Sequence, residues 1–505
     1  MEEGKKEPGK GLSVWQLAML GLGTVVGGSF FLGSAVAIRA AGPSVLIAYM
    51  IGGVLVYWIL TALSEMTVEN PAAGSFRTYA EQAFGPGAGF TVGWVYWIGL
   101  VLAMSSEATA ASILIRGWFP WLPLGLLEAG IIAAMTLLNL LGADRLSKLE
   151  SSLAAVKLLA VAAFVVLAVL LTAGLGAWLP GSNARSGPAG FGVLAGQPLM
   201  PGGIGAIAGS MLIVMFSYAG FEVLGLAASE TANPKVRIPK AIRLTIILLV
   251  GLFLSAMAGL FFLVPGSAVT VQESPFVTAL SRHGLGWAGN VMDIVLVSAI
   301  LSTMLASIFG LGRMLRSLAD EGHTPAWMRD KTDVPYRGIL FSGAAMLTGL
   351  GLGLLLPQGV YLFLLSSGGF SMLFVYIAIM ASHYRLRRRR EKAEGAGLHR
   401  SALPGFPYTS WIGMLSLAAV IVSMPLIPGQ GGGLAAGLLF VALFAGIYAG
   451  KRYFGRAPRR ADAARRVQPG AFASRAQPEL SEELTGPVDA EHKGPAGSGQ
   501  RRDPG

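Results

Sequence analysis

Long apolar segments separated by short polar ones run through this chain from about residue 15 to about residue 450, and that alternation rules out most of what 505 residues could otherwise fold into. The apolar stretches fall at about 15–38, 43–66, 88–115, 124–142, 151–175, 203–229, 239–264, 286–311, 338–356, 360–382, 408–427 and 433–450. A helix of about 20 residues crosses a hydrocarbon core about 30 Å thick, and a helix satisfies its own backbone where no water is present. The pattern therefore predicts an all-α integral membrane protein of about twelve transmembrane helices. Composition agrees, with charged residues at 13% of the chain against about 25% in a soluble domain. A soluble chain of this length would divide into several domains; here it fits one membrane domain and a tail.

The positive charges set the orientation. With the N-terminus inside, the inner segments carry nearly all the Lys and Arg, including Arg77, Arg145, Lys148, Lys235, Arg237, Arg313, Arg316 and the run Arg387 to Arg390. The outer segments carry only Arg39, Arg116, Arg185 and Arg282. The positive-inside rule then places both termini in the cytoplasm. Expected units are a cytoplasmic N-terminus (1–12), a transmembrane domain (13–454) and a disordered cytoplasmic tail (455–505) without an apolar face. The bases leading into that tail (Lys451, Arg452, Arg456, Arg459, Arg460) read either as a contact with anionic lipid or as a solubilising tail that reinforces topology.

Several function classes drop out. The net charge of +11 sits at segment ends, with no regular basic face interleaved with aromatics, so no nucleic acid partner is expected. Cysteine is absent, and His283, His323, His383, His399 and His492 are scattered, so no metal and no cofactor are expected. No nucleophile and base pair stands out, and the chain does not read as an enzyme. The first apolar run is expected to serve as an uncleaved first helix, not a signal peptide.

Two spans are interrupted. The first contains Gly21, Gly23, Gly27 and Gly28, then Ser29. The sixth contains Phe216-Ser217-Tyr218-Ala219-Gly220-Phe221-Glu222. Glycine costs about 1 kcal/mol relative to alanine inside a helix, and freed backbone groups survive in a bilayer where they line a cavity. Counting five spans per repeat, the two interruptions correspond, and paired interruptions point to a transporter's site. A half-helix N-terminus offers N–H groups to a carboxylate, while unwound carbonyls accept from an ammonium group. A second reading is close helix packing at Gly23 and Gly27, which have small-xxx-small spacing.

Three charged residues lie inside spans: Glu107, Lys157 and Glu222. A charge at mid-bilayer costs about 2.5–3.5 kcal/mol even on the lenient scale, which makes each a functional candidate. A lysine in an apolar site can take up and release a proton near neutral pH; the competing reading for Lys157 is snorkelling to the nearby helix end. Glu222 adjoins the second interruption. Glu107 reads equally as a functional carboxylate or as a partner for the hydroxyls of Ser105, Ser106 or Thr109. Trp15, Trp94, Tyr96 and Trp97 read as interface anchors or packing.

Several of these stretches, in this order, resemble the amino acid transporter family within the amino acid–polyamine–organocation superfamily. They are Gly21-Leu-Gly-Thr-Val-Val-Gly-Gly-Ser-Phe-Phe-Leu-Gly33, Glu65-Met-Thr-Val-Glu-Asn-Pro-Ala-Ala-Gly-Ser-Phe76, Gly93-Trp-Val-Tyr-Trp97 and Phe216 to Glu222. Ser229-Glu-Thr-Ala-Asn-Pro234 and Gly312-Arg-Met-Leu315 continue the match. The resemblance implies a leucine-transporter-type 5+5 inverted repeat, with repeat one at about 13–175, repeat two at about 203–384 and two extra helices at about 405–454. It implies import of an L-amino acid, with a proton, across the plasma membrane. By position, the amides of Gly28 and Ser29 would take the substrate carboxylate, and the carbonyls of Val25, Phe216 and Ala219 its ammonium. Val26, Gly27, Ser217 and Gly220 complete the implied substrate site. Lys157 falls where the resemblance places a lysine of proton-coupled permeases, near the carbonyl of Gly23, and Glu222 and Glu107 join these two as candidates for proton coupling. Where the family shows Gly-Thr-Gly, this chain has Gly27-Gly28-Ser29.

The expected function is thus a secondary transporter working by alternating access, with substrate, proton and membrane lipid as partners. An amino acid or polyamine exchanger and a non-transporting amino acid sensor are the alternatives. The sequence sets neither the amino acid carried nor the oligomeric state.

Overall fold

Every regular element among the described residues is helical, as apolar runs in a bilayer require. The computed structural model describes residues 13–70, 72, 74–181, 194, 196–222, 234–330, 334–351, 359–394 and 401–454. Eight helical runs are long and apolar enough to cross a membrane, and two shorter apolar helices, Leu124–Asn139 and Gly203–Ser217, accompany them. Among the described residues the chain is all-α, with the repeated apolar helices of a multi-pass membrane protein. The tail expected over 455–505 lies outside the described residues.

The first apolar stretch is broken twice. Helix α1 spans Val14–Val25, α2 spans Gly28–Phe31 and α3 spans Ser34–Ala41. The pieces pack among the helices that follow. These are α4 (Val45–Glu69), α5 (Ser75–Phe84), α6 (Pro86–Trp118), α7 (Leu124–Asn139), α8 (Ala143–Thr172) and α9 (Gly203–Ser217). Then come α10 (Pro234–Leu263), α11 (Pro275–Arg282), α12 (Gly286–Asp320), α13 (Tyr336–Gly351), α14 (Val360–Glu394), α15 (Tyr408–Ser423) and α16 (Gly431–Phe454). Helix α6 packs along both α12 and α14; α1 lies against α8 and α10, α2 meets α6, α9 and α12, and α3 packs on α9. The broken helix therefore runs through the middle of the bundle, where its interruptions face other helices. At one end Phe30 stacks on Phe253, with ring centroids 3.9 Å apart, and the Tyr218 hydroxyl donates to the Tyr49 carbonyl at 2.9 Å.

Two expectations about loops change. The tenth span, expected to end near 382, continues as helix to Glu394. Its basic run is satisfied in helical form: Arg387 pairs with Glu391 at 3.7 Å, Arg388 with Glu391 at 3.3 Å, and Arg390 with Glu69. The Glu65 carboxylate accepts from Arg387 at 3.2 Å, the Ser401 hydroxyl at 2.7 Å and the Ala402 amide at 2.9 Å, with His383 Nε2 3.0 Å away. These bonds fasten the end of α4 to α14 and to the segment before α15. Likewise, the polar stretch between the second and third apolar runs holds the end of α4 and the whole of helix α5.

Arg77 on α5 is fully buried. Its guanidinium pairs with Glu321 at the end of α12, donates to Ser317 Oγ at 3.3 Å and lies 3.6 Å from Glu81. Burial raises the Glu81 carboxyl above its ordinary value, and the Glu321 charge adds to this while Arg77 opposes it. Burial also lowers the His323 imidazole, helped by the Arg77 charge. Glu81, Glu321 and His323 bring three possible ligand atoms within 4.8 Å of one another, but the guanidinium already balances the carboxylates there.

Candidate functional site

The first helix ends at Val25 because the next helical residues, from Gly28, start from an extended Gly27 (φ −143°, ψ −167°). That exposes the first amides of α2. They are not empty-handed: Gly28 N–H donates to Glu107 Oε2 at 3.0 Å and Ser29 N–H to Glu107 Oε1 at 3.1 Å. One carboxylate thus caps both amides with its two oxygens, where free N–H groups and the helix dipole favour an anion. Glu107 reaches them from α6 and is only 3% exposed. The hydroxyls that competed for it in the sequence have backbone partners instead: Ser105 bonds Val101 and Met346, Ser106 bonds Ala103, and Thr109 bonds Ser105.

This contact accounts for glycine at position 28. A Cβ at Gly28 would fall on Glu107 Oε2 and lie 2.9 Å from Ile300 Cγ1. A threonine at 28 and a carboxylate on the amide cannot share this space.

The second interruption follows α9. Tyr218 to Glu222 form turns, with Gly220 in a left-handed conformation (φ 108°) that other residues rarely adopt. The Gly220 N–H donates to Glu222 Oε2 at 3.0 Å. The hydroxyls of Tyr96 and Tyr376 approach the same carboxylate at 3.4 and 3.5 Å. Residues 223–233, which hold most of the Ser229 to Pro234 motif, lie outside the described residues.

The two interruptions meet. Thr24 Oγ1 donates to the Gly220 carbonyl at 3.1 Å, and Ser217 Oγ donates to the Ser29 carbonyl at 3.1 Å. A Cβ on Gly220 would sit 2.7 Å from the Thr24 carbonyl oxygen, so the close approach itself requires glycine. Val25, Val26, Gly27, Gly28, Ser29, Phe216 and Ser217 are all buried. Phe216 gives its carbonyl to the Ala219 amide at 3.0 Å, which leaves that oxygen a second lone pair.

Lys157 on α8 is 1% exposed. Snorkelling needs the ammonium at the surface, so burial speaks against that reading. A Cβ at Gly23 would lie 2.9 Å from Ala154 Cβ, which puts Lys157 one turn along α8 from the contact with α1. Lys157 and Glu107 are both buried. Close packing and interruption are therefore both present in the first span. Gly23 packs on α8, and a Cβ at Gly27 would be 3.0 Å from Thr303 Oγ1 of α12, while the helix still ends between them.

Tyr96 and Tyr376 are the site residues that sequence reasoning missed. Tyr96 reads from the sequence as an interface anchor or packing residue, and no local pattern marks it otherwise. Trp97, by contrast, is a packing residue whose indole N–H donates to Ser342 at 3.0 Å.

Comparison with known proteins gives a consistent result. The amino acid permease family model matches residues 16–462. The γ-aminobutyric acid permease of Escherichia coli is 34% identical over 430 residues, covering 84% of this chain and 90% of that protein. The γ-aminobutyric acid permease of Bacillus subtilis is 31% identical over 421 residues, covering 83% and 88%. The aromatic amino acid transport protein of Corynebacterium glutamicum is 32% identical over 432 residues, covering 84% and 90%.

Proposed function

This chain belongs to the amino acid permease family, and from that premise we propose that it imports an L-amino acid across the plasma membrane by proton symport. The proposal includes twelve spans with both termini cytoplasmic, and repeats at about 13–175 and 203–384 in a 5+5 inverted arrangement. The helices at about 405–454 are additional to it. The relatives named for γ-aminobutyric acid and for aromatic amino acids have substrates that share a carboxylate end, which supports a site that reads the carboxylate through backbone groups and leaves the rest of the substrate to a separate pocket.

The observation that carries the reading is the bidentate seat of Glu107 on the Gly28 and Ser29 amides. A substrate carboxylate needs the same two donors, and two carboxylates cannot both occupy them. Substrate binding therefore displaces Glu107. A carboxylate forced off its donors into a buried, apolar setting is costly as an anion, and a proton removes that cost. The pair Glu107 and Lys157 holds one proton more when the substrate is seated than when it is not. The carbonyls of Val25, Phe216 and Ala219 then take the ammonium, while Glu222, Tyr96 and Tyr376 hold the second interruption in shape.

Purified protein in liposomes tests this directly. An inward proton gradient should drive a labelled amino acid above its equilibrium distribution. Counterflow that is indifferent to the gradient, without net uptake, would show an exchanger instead; binding in detergent without any flux would show a sensor. A competition panel of the common amino acids names the substrate.

A further inference from the structure

A cavity of about 430 Å³ opens between α5, the first turns of α6, the middle of α14 and the last turns of α16. It exists because Ala80, Gly87, Ala88, Ala378 and Ala445 stand where these helices converge. The ring of Tyr448 forms part of its wall and touches the backbone at Gly87, where a Cβ would lie 2.9 Å from Cδ1. Phe84 and Ala445 are exposed, so the cleft opens outward. The lining is mostly apolar, holds no charged side chain, and has Thr91 and Tyr448 as its hydroxyl-bearing residues.

Two bases stand close to residues of the lining, on α14 and on α16. The Arg385 guanidinium carbon lies 4.9 Å from the centroid of the Phe84 ring. Lys451, one turn beyond Tyr448 on α16, places Nζ 5.3 Å from the Phe90 ring. Arg389 donates to the carbonyls of Gln82 and Ala83 at 2.9 and 3.1 Å, closing the end of α5. The nearby carboxylates are already engaged: Glu321 and Glu81 by Arg77, and Glu391 by Arg387 and Arg388. Among the described residues, none pairs with Arg385 or Lys451.

We propose that this cleft is a binding site for one anionic phospholipid, an acyl chain lying among the alanines and the phosphate held at the Arg385 and Lys451 end. The inference rests on the membrane placement of the chain and not on the proton reading of the central site. In a bilayer, an apolar cleft that opens between helices meets lipid chains and excludes water. Any phospholipid can supply the chain; the two bases select a negative headgroup, since Lys and Arg near the bilayer surface attract anionic lipid and guanidinium groups match phosphate geometry. The lipid would brace α16 against α5, the helix that carries Arg77.

Native mass spectrometry of the full chain, released from nanodiscs of equal phosphatidylglycerol and phosphatidylcholine with matched chains, counts the lipids retained. The wild type should keep one phosphatidylglycerol when phosphatidylcholine is stripped, a preference of roughly 30-fold for two bases. The Arg385→Gln, Lys451→Gln double variant changes exposed side chains only, and its preference should fall to within about twofold. Ala378→Phe with Ala445→Phe leaves both bases and fills the cleft; it should lose the retained lipid. Melting in detergent reports whether each variant folds, and the double Gln variant keeps the proposal testable if the filled one does not. Equal retention of both lipids by the wild type, an unchanged preference in the double Gln variant, undiminished retention in a folded filled variant, or a protein dimer without lipid would each overturn it.

Discussion

Replacing Glu107 by Gln keeps the size of the side chain and removes its charge, which isolates the competition for the Gly28 and Ser29 amides. Hydrogen bonds to a charged acceptor contribute about 1.5–3 kcal/mol each, and Glu107 accepts two, at 3.0 and 3.1 Å. Glutamine offers one neutral acceptor, worth about 1 kcal/mol, and turns its NH2 group toward the other N–H. At the lower bound, the hold that a substrate carboxylate must displace weakens by about 2 kcal/mol, or roughly 30-fold in Kd. The same loss should lower the thermal midpoint of the empty protein, because the amides that start α2 lose half their capping. The assay is equilibrium binding of the transported amino acid in detergent across neutral and mildly acidic pH, with melting curves of the empty protein alongside. The Gln variant should bind tighter than wild type at neutral pH and lose much of the improvement that acidification gives the wild type. Binding within twofold of wild type, with an unchanged pH profile, would refute the idea that Glu107 and substrate contend for one seat.

Lys157→Ala should abolish gradient-driven accumulation while counterflow persists; accumulation equal to wild type in liposomes would remove the lysine from coupling. Gly28→Thr restores the family's threonine but drives a side chain into Glu107 Oε2 and Ile300, so uptake should be lost, and a second change, Glu107→Ala, should recover binding only in part because the Ile300 contact remains. Arg77→Ala removes a fully buried guanidinium but leaves Glu321, 38% exposed, in reach of water, so the cost should fall below the about 3–5 kcal/mol of breaking a fully buried pair; an unchanged melting temperature would show that the pair contributes nothing. Glu81 has its folded-state value raised, so its contribution to stability is present in acid, below the ordinary carboxylate value, and is lost as pH rises through the raised one. Glu81→Gln should therefore melt higher than wild type at neutral pH, with the difference shrinking as the pH is lowered into the carboxylate range.

What could be read from the sequence was whatever depends on one element at a time. Apolar length gave the helices, and the glycines gave the end of α1 within a few residues of Val25. Lys157, Glu107 and Glu222 stood out because charge in an apolar run is costly. What escaped was pairing between elements. The basic run after His383 looked like a loop because its partners, Glu65 and Glu69, belong to α4, more than 300 positions away. Tyr96 and Tyr376 looked like any membrane aromatic until Glu222 was placed between them.

The two interruptions also differ in a way that no residue pattern showed. Each has a buried carboxylate on its freed amides, but Glu222 bonds an amide two residues away in its own turn. That contact travels with the turn whatever the neighbouring helices do. Glu107 reaches its amides from another helix, 78 and 79 positions along the chain, and a small shift of α6 against α2 breaks both bonds together. A carboxylate held locally can shape a site; one held across an interface can leave it. On that ground Glu107, not Glu222, is the carboxylate whose exchange the Glu107→Gln variant tests.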